Sequence, residues 1–246
     1  MKTAIILAAR REKESEIPYP LKAFAPDLCL LDRTIGILRD LHFSNILIVV
    51  GYKAEMFRKY EADDVTLIVN KDYEFTASMG SLALAKDYVK EDFLLIESDT
   101  FYERRLIEQL AARTEGNCLS MTEESGSGDE CFMETKNGFV TKITKDRHRV
   151  CHFEGEMIGV SRITLDTFEM LVNAWEHASN PYLNYEYLLM DVTEPLDRPV
   201  IVLKNLIWGD VDCEEDFKKL HNVIYPRLRR RENPFDYDNL IMHLHN

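Results

Sequence analysis

The sequence predicts an α/β fold, a mostly parallel sheet flanked by helices with a small mixed α+β annex. Three observations carry this. First, residues 3–9 (TAIILAA), Asn45–Val50 and Phe93–Glu97 are short, nearly continuous apolar runs. That is the pattern of strands buried on both faces of a parallel sheet. Second, segments with apolar residues at helical spacing separate them. Third, strand and helix alternate over about the first 120 residues. Right-handed crossovers turn that order into a Rossmann-like sheet with helices on both faces.

The first strand stops at Arg10-Arg11-Glu12-Lys13-Glu14-Ser15-Glu16, a stretch too charged to pack and read as a loop over the sheet edge. Pro18-Tyr19-Pro20-Leu21-Lys22 is expected to be extended, because a residue before proline avoids the helical region. Residues 30–41 put Leu31, Ile35, Leu38 and Leu41 on one helical face. Asn45–Val50 is a second buried strand, closed by Gly51. A short helix over 53–60, a strand over 65–69 and a helix over 78–88 follow. Phe93–Glu97 is the fourth strand, and 104–112 the helix after it.

Beyond residue 117 the pattern changes. Short strands are predicted over 118–121, 131–134, 139–143 and 156–160. Asn137-Gly138 is a hairpin signal, and Ser125-Gly126-Ser127-Gly128-Asp129 a flexible loop. Helices over 165–177, 185–192 and 214–228 and a strand over 200–203 complete an annex that closes over the site. A single domain over 1–228 is expected, divided into halves at 1–122 and 123–228. Residues 229–246 are basic, then polar with Pro234. They read as a terminal helix, a homodimer arm or a linker to a further, fused domain.

Composition narrows the function. The 246 residues are 46% hydrophobic and 30% charged, a globular rather than disordered balance. A net charge of −13 opposes sequence-independent binding to nucleic acid or anionic lipid. It leaves room for a phosphate ligand held by a few local cations. Five cysteines without a C-x-x-C read as reduced thiols of a cytoplasmic protein, each a small buried hydrophobe. Met1-Lys2 leads into only about six apolar residues, too few for a signal core or membrane span.

Two features carry chemistry. Arg10, Arg11, Lys13 and Lys22 follow the first strand within about a dozen residues. Cations at a strand's carboxyl end suit a phosphate cradle, although the run also reads as a solvated loop whose Arg and Glu residues neutralise one another. Asp99 follows FLLIES, and Asp212 follows IWGDV. In open α/β sheets ligands bind beyond the carboxyl ends of the strands. Two carboxylates from different strand ends can share one hard cation, and Mg²⁺ is commonly held by one or two carboxylates plus substrate phosphates. The structural alternatives are helix caps, Asp99 for the helix near Glu103 and Asp212 for the helix from Glu214. No G-x-S-x-G elbow or P-loop is present.

With these segments in view, the chain resembles the nucleotidyltransferase superfamily that activates sugar 1-phosphates. Within it, the chain is similar to the cytidylyltransferases of 2-aminoethylphosphonate and phosphocholine. AIILAA, DRTIGIL and ILIVVGY carry the general likeness. NKDYEFTASMGSLALA, FLLIESDTFY, SGSGDECFME, GEMIGVSRIT, NYEYLLM and IWGDVDCEEDFKKL carry the closer one, and the likeness spans about residues 3 to 228. The resemblance implies a nucleotide-diphospho-sugar transferase-like fold. It implies CMP transfer from CTP to a small zwitterionic phosphonate or phosphate, with Mg²⁺ on Asp99 and Asp212. The first loop (Ala8, Ala9, Arg10, Arg11, Lys13) would hold the triphosphate, with Lys22 on the α-phosphate. Ser78, Gly80 and Ser81 would lie by the base and ribose. Asp129, Lys145, Glu156, Tyr185 and Glu186 would contact the acceptor, with Glu186 facing its amine.

One stretch departs from the family. Its members carry AAG-x-G-[ST]-R followed by P-K. Here Ala9 is followed by Arg10-Arg11-Glu12-Lys13, with no glycine before Gly36, and Tyr19 stands where one alignment expects the lysine. Either these side chains replace the glycine loop, or the nucleotide chemistry is changed. A sugar 1-phosphate nucleotidyltransferase and a catalytically silent nucleotide-binding regulatory domain are the alternatives.

Overall fold

Four parallel strands with almost no polar side chains form the centre of the computed structural model, which describes residues 1–12, 15–128 and 130–232. In chain order the elements are β1 (Thr3–Ala8), α1 (Leu30–Asp40), β2 (Asn45–Val50), β3 (Val65–Val69), α2 (Ser78–Ala83), β4 (Phe93–Glu97), β5 (Thr100–Tyr102) and α3 (Arg104–Ala111). The second half contributes β6 (Leu119–Thr122), β7 (Phe132–Lys136), β8 (Phe139–Thr144), β9 (Gly155–Met157), β10 (Val160–Ile163), α4 (Leu165–Glu176) and α5 (Tyr185–Val192). It closes with β11 (Val200–Val202), β12 (Trp208–Asp210), α6 (Glu214–Lys219) and α7 (Tyr225–Glu232).

The main sheet runs β10-β4-β1-β2-β3. β1 to β4 are parallel, and β10 joins antiparallel to β4. The alternation of side chains explains why these runs are apolar throughout. Ala4 and Ile6 of β1, Ile46 and Ile48 of β2, and Leu94 and Ile96 of β4 pack on the α1 and α3 side. Ile5, Leu47, Val49, Phe93 and Leu95 pack on the side of α2, α4 and α5. Each fully buried Leu or Ile contributes about 1.5–3 kcal/mol. Polar residues resume where the strands leave the core.

The strand order places the site. From β1 the chain steps one way to β2 and β3, then returns to lay β4 on the other side of β1. The crevice at that reversal, beyond the carboxyl ends of the strands, is where open α/β sheets bind ligands. A second sheet, β11-β6-β9-β7-β8, stands above this edge, and β5 pairs with β12 in a two-stranded ribbon.

Several expectations need correction. No helix follows Asp99 directly, because β5 intervenes and Glu103 occupies the N-cap of α3. Asp212 is not the cap of the next helix either. Cys213 is, with Asp216 closing a capping box. The strand expected over 156–160 divides at Ile158-Gly159 into β9 and β10, which belong to different sheets. The chain crosses over Glu97 there, and a Cβ at Gly159 would lie 2.7 Å from Glu97 Oε2. Only glycine fits so close an approach. The helix expected over 78–88 ends at Ala83 and continues as turns.

The segment around residue 19 is a 3₁₀ turn over Tyr19–Leu21 rather than extended. Glu12, expected in a solvated loop, is buried and accepts the Tyr19 backbone N–H. Cys29 and Cys118 are buried as expected, but Cys151 is exposed and Cys131 and Cys213 are half-buried. Past residue 228 the helix runs on to Glu232, where Glu232 accepts from Arg33 at 3.0 Å. A π-helical turn over Leu220–Ile224 precedes Pro226, relieving the ladder where proline lacks its N–H.

Candidate active site

A cavity of about 400 Å³ opens over the carboxyl ends of β1 and β4. Its floor carries Leu7, Ala9 and Glu97, and its roof Glu156 and Met157 of β9 with Cys131 and Lys145. One wall is the entry to α2, through Thr76, Ala77, Ser78 and Ser81. Asn184 and Glu186 bring the start of α5 alongside. The two helix starts are stitched together: Met79 N–H donates to Leu183 O at 3.1 Å and Tyr185 N–H to Ser78 Oγ at 3.0 Å.

Asp99 and Asp212 meet at one end. Asp210 ends β12 opposite Thr100, and the Val211 N–H donates to Asp99 O at 3.0 Å. The β5–β12 ribbon therefore holds the two aspartates side by side. Arg10 lies between them, with Nη2 3.2 Å from Asp99 Oδ2 and Nη1 paired to Asp212 Oδ1. Burial opposes the Arg10 charge, but Asp99 and Asp212 outweigh it and hold the guanidinium protonated. Burial pushes the Asp99 carboxyl up, as does Asp212, against the pull of Arg10. Asp210 is driven well above the carboxylate range by burial and then by Asp99, and its buried Oδ1 has no hydrogen-bond partner.

A second acidic group lines the same cavity. Glu97 is pushed up to about 8, first by burial and then by Asp99 and Glu186. Burial likewise raises Glu186. The Tyr185 hydroxyl, fully buried, sits beside both carboxyls. Lys145 faces Glu186, Glu97 and Asp99 electrostatically. Glu156 accepts from the Ser125 N–H at 2.7 Å and its hydroxyl at 3.2 Å. Burial pushes the Cys131 thiol up, so it stays protonated.

Of the residues singled out in the sequence, Ala9, Arg10, Arg11, Ser78, Ser81, Asp99, Lys145, Glu156, Glu186 and Asp212 line this one cavity. Ala8 does not, because its side chain packs on the α1 face of the sheet. Gly80 is buried in α2, where a Cβ would meet Thr76 Cβ at 2.7 Å. Tyr185 lies beneath the lining rather than in it. Lys22 is drawn away: its ammonium pairs with Glu214 and lies 4.3 Å over the Phe217 ring. Lys13 and Asp129 lie outside the described residues. Arg11 turns from Arg10 and pairs with Glu74 at 2.6 Å. Glu97 and Asp210 are site residues that the sequence reading missed. Their signal is the two-residue spacing in Glu97-Ser98-Asp99 and Asp210-Val211-Asp212, which returns side chains to one side of an extended chain.

No family model matches the chain. CMP-5'-(3-aminopropyl)phosphonate synthase of Streptomyces rubellomurinus is 29% identical over 127 residues, 48% of this chain and 20% of its own length. The bifunctional IPC transferase and DIPP synthase of Archaeoglobus fulgidus is 26% identical over 227 residues, 91% of this chain and 44% of its own length. Choline-phosphate cytidylyltransferase of Haemophilus influenzae is 38% identical over 80 residues, 31% of this chain and 33% of its own length. The chain thus spans well under two thirds of the length of these curated relatives. The inositol-1-phosphate CTP transferase from T. maritima superposes with a TM-score of 0.75 at 18% identity, covering 93% of this chain and 96% of that one. CTP:phosphocholine cytidylyltransferase from Streptococcus pneumoniae gives 0.73 at 20% identity, covering 91% and 99%.

The chain shares the α/β fold of these solved nucleotidyltransferases, with a cavity at the β1/β4 crevice. Within that class it resembles the cytidylyltransferases.

Proposed function

We propose that the chain is a Mg²⁺-dependent cytidylyltransferase that joins CMP from CTP to a small zwitterionic phosphonate or phosphate and releases pyrophosphate. 2-Aminoethylphosphonate is the first choice of acceptor and phosphocholine the second. One observation carries the reading: a single cavity gathers Asp99, Asp212, Glu97 and Glu186, with Lys145 among them. Names of relatives that include an aminopropylphosphonate synthase and a choline-phosphate cytidylyltransferase support it.

The donor set fits a metal that completes its shell with substrate oxygens. Among the described residues no group of three or more His, Cys, Asp or Glu is arranged to enclose an ion by itself. Two carboxylates and an orphaned buried oxygen on Asp210 suit Mg²⁺, which keeps few protein ligands. The charge balance points the same way. Six carboxylates and three basic side chains line the cavity, so a triphosphate is repelled unless cations accompany it. Asp99 and Asp212 would hold the metal, which when bound would neutralise the α-phosphate and the departing pyrophosphate.

The chain's own residues position the reactants. Lys145 neutralises the acceptor's phosphoryl group, and Glu97 and Glu186 accept hydrogen bonds from its ammonium. Ser78 and Ser81 offer hydroxyls to the nucleoside side. The ionised acceptor oxygen attacks the α-phosphorus in line, and the bond to pyrophosphate breaks with its electron pair leaving on that group. The acceptor is already anionic, so no general base is required. Positioning and charge neutralisation are the protein's work.

The test is pyrophosphate release with Mg²⁺, CTP and a panel of acceptors. Release with 2-aminoethylphosphonate or phosphocholine is expected. Release only with sugar 1-phosphates would overturn the zwitterion assignment, and none with any nucleoside triphosphate would overturn the enzyme.

A further inference from the structure

Arg10 stands where the glycine loop of similar proteins begins, and its half-exposed side chain lines the cavity with the guanidinium on the two aspartates. Its guanidinium touches Asp99 Oδ2 at 3.2 Å and Asp212 Oδ1, with Glu12 Oε2 at 3.9 Å. These aspartate oxygens are the ones that a divalent cation held by Asp99 and Asp212 would use. A guanidinium and a metal ion cannot share those lone pairs, and two cations in so small a space repel one another. The described neighbours of Arg10 have partners of their own. Glu12 is buried on the Tyr19 backbone, and Arg11 is held by Glu74 at 2.6 Å. Arg10 keeps half of its side chain exposed, so it can turn without unpacking anything.

We propose that Arg10 is an exchangeable counter-ion. In the protein alone it neutralises Asp99 and Asp212 and keeps divalent cations out; when nucleotide arrives it moves to the triphosphate, releasing both carboxylates to the metal that comes with it. Arginine suits this exchange because its planar fork pairs equally with carboxylate and phosphate. Here one long side chain supplies the charge that backbone N–H groups of a glycine loop would otherwise offer. Metal and nucleotide then bind cooperatively, each removing what impedes the other. The inference rests on Asp99 and Asp212 being the metal ligands, as the proposed function has it.

The experiment is a Mn²⁺ titration followed by electron paramagnetic resonance, on wild type and Arg10→Gln, with and without CTP. Without nucleotide, Arg10→Gln is expected to bind Mn²⁺ about tenfold more tightly, as for a site freed from occupation roughly nine tenths of the time. With CTP the advantage is expected to vanish or reverse, because the variant lacks the cation on the triphosphate. Arg10→Met, which likewise removes the charge, is expected to match Arg10→Gln and serves if the Gln variant fails to fold. Equal Mn²⁺ affinities of wild type and Arg10→Gln without nucleotide would overturn the proposal. Mn²⁺ binding does not depend on turnover, so this result is separate from the pyrophosphate assay: release without the affinity difference removes the exchange and leaves the enzyme.

Discussion

Gly159→Ala tests how the part of the cavity proposed for the acceptor's ammonium is built. A Cβ at this position would stand 2.7 Å from Glu97 Oε2 and 2.9 Å from both its Cβ and Cδ. The backbone cannot retreat, because Glu97 N–H donates to Gly159 O at 2.7 Å and ties β4 to the crossing. The Glu97 carboxyl is therefore displaced. Overpacking of this kind costs about 1–3 kcal/mol. At about 2–4 °C per kcal/mol for a chain of this size, the melting temperature falls by roughly 2–12 °C. If Glu97 accepts a charge-assisted hydrogen bond from the acceptor's ammonium, its loss is worth about 1.5–3 kcal/mol. That is a rise of roughly 10- to 150-fold in KM for 2-aminoethylphosphonate. The assay compares this acceptor with ethylphosphonate, which lacks the amine, at saturating CTP. The preference for the amine should collapse while KM for CTP changes little. A melting point that falls with the amine preference intact would refute the reasoning, since Glu97 would have moved with no consequence for the ammonium.

Asp99→Ala is expected to lower turnover by about 10²- to 10³-fold with circular dichroism unchanged; near-normal rates would remove Asp99 as a metal ligand. Stability should fall as pH rises. Burial lifts Glu12 from 4.5 to about 7 and Glu97 to about 8, so the folded chain holds more protons than the unfolded one between about pH 4.5 and 8 and loses that contribution as these groups ionise. Melting curves at pH 5 and 8 check the sign, and Glu12→Gln, neutral at both, should flatten the slope. Arg162→Met should destabilise by about 2–4 kcal/mol, read by urea titration, because Arg162 is 2% exposed, pairs with Asp92 at 2.6 Å and donates to the Gly116 carbonyl at 2.9 Å. An unchanged midpoint would mean that Asp92 is solvated without it.

The sheet was legible in the sequence because burial on both faces leaves a signature that local pattern alone records. β2 and β4 are apolar at every position until their ends, and no amphipathic helix reads that way. β5 and β12 were not legible. At three residues each they are too short for any periodicity, and they exist because they pair with each other across the fold. The same contrast divides the site. Asp99 stands out because an apolar strand runs straight into it. Glu97 is hidden inside that strand, and its role depends on Gly159 crossing above it. Lys22 shows the limit of charge counting, since its partners Glu214 and Phe217 come from a helix some 190 residues away. Nothing in the first loop alone could reveal whether Arg10 or Lys22 turns inward.

The short ribbon of β5 and β12 bears on how such a chain can change over generations. It fixes Asp99 against Val211 through one backbone hydrogen bond, although the two lie about 110 residues apart in sequence. Lys145, Glu156, Glu186 and Gly159, which line the cavity, all fall in the segment between. That segment leaves the ribbon after β5 and returns to it at β12. Substitutions within it can reshape the cavity while the aspartate pair keeps its spacing. The fold thus separates the spacing of the aspartates from the shape of the rest of the cavity, and three paired residues on each side are enough to do it.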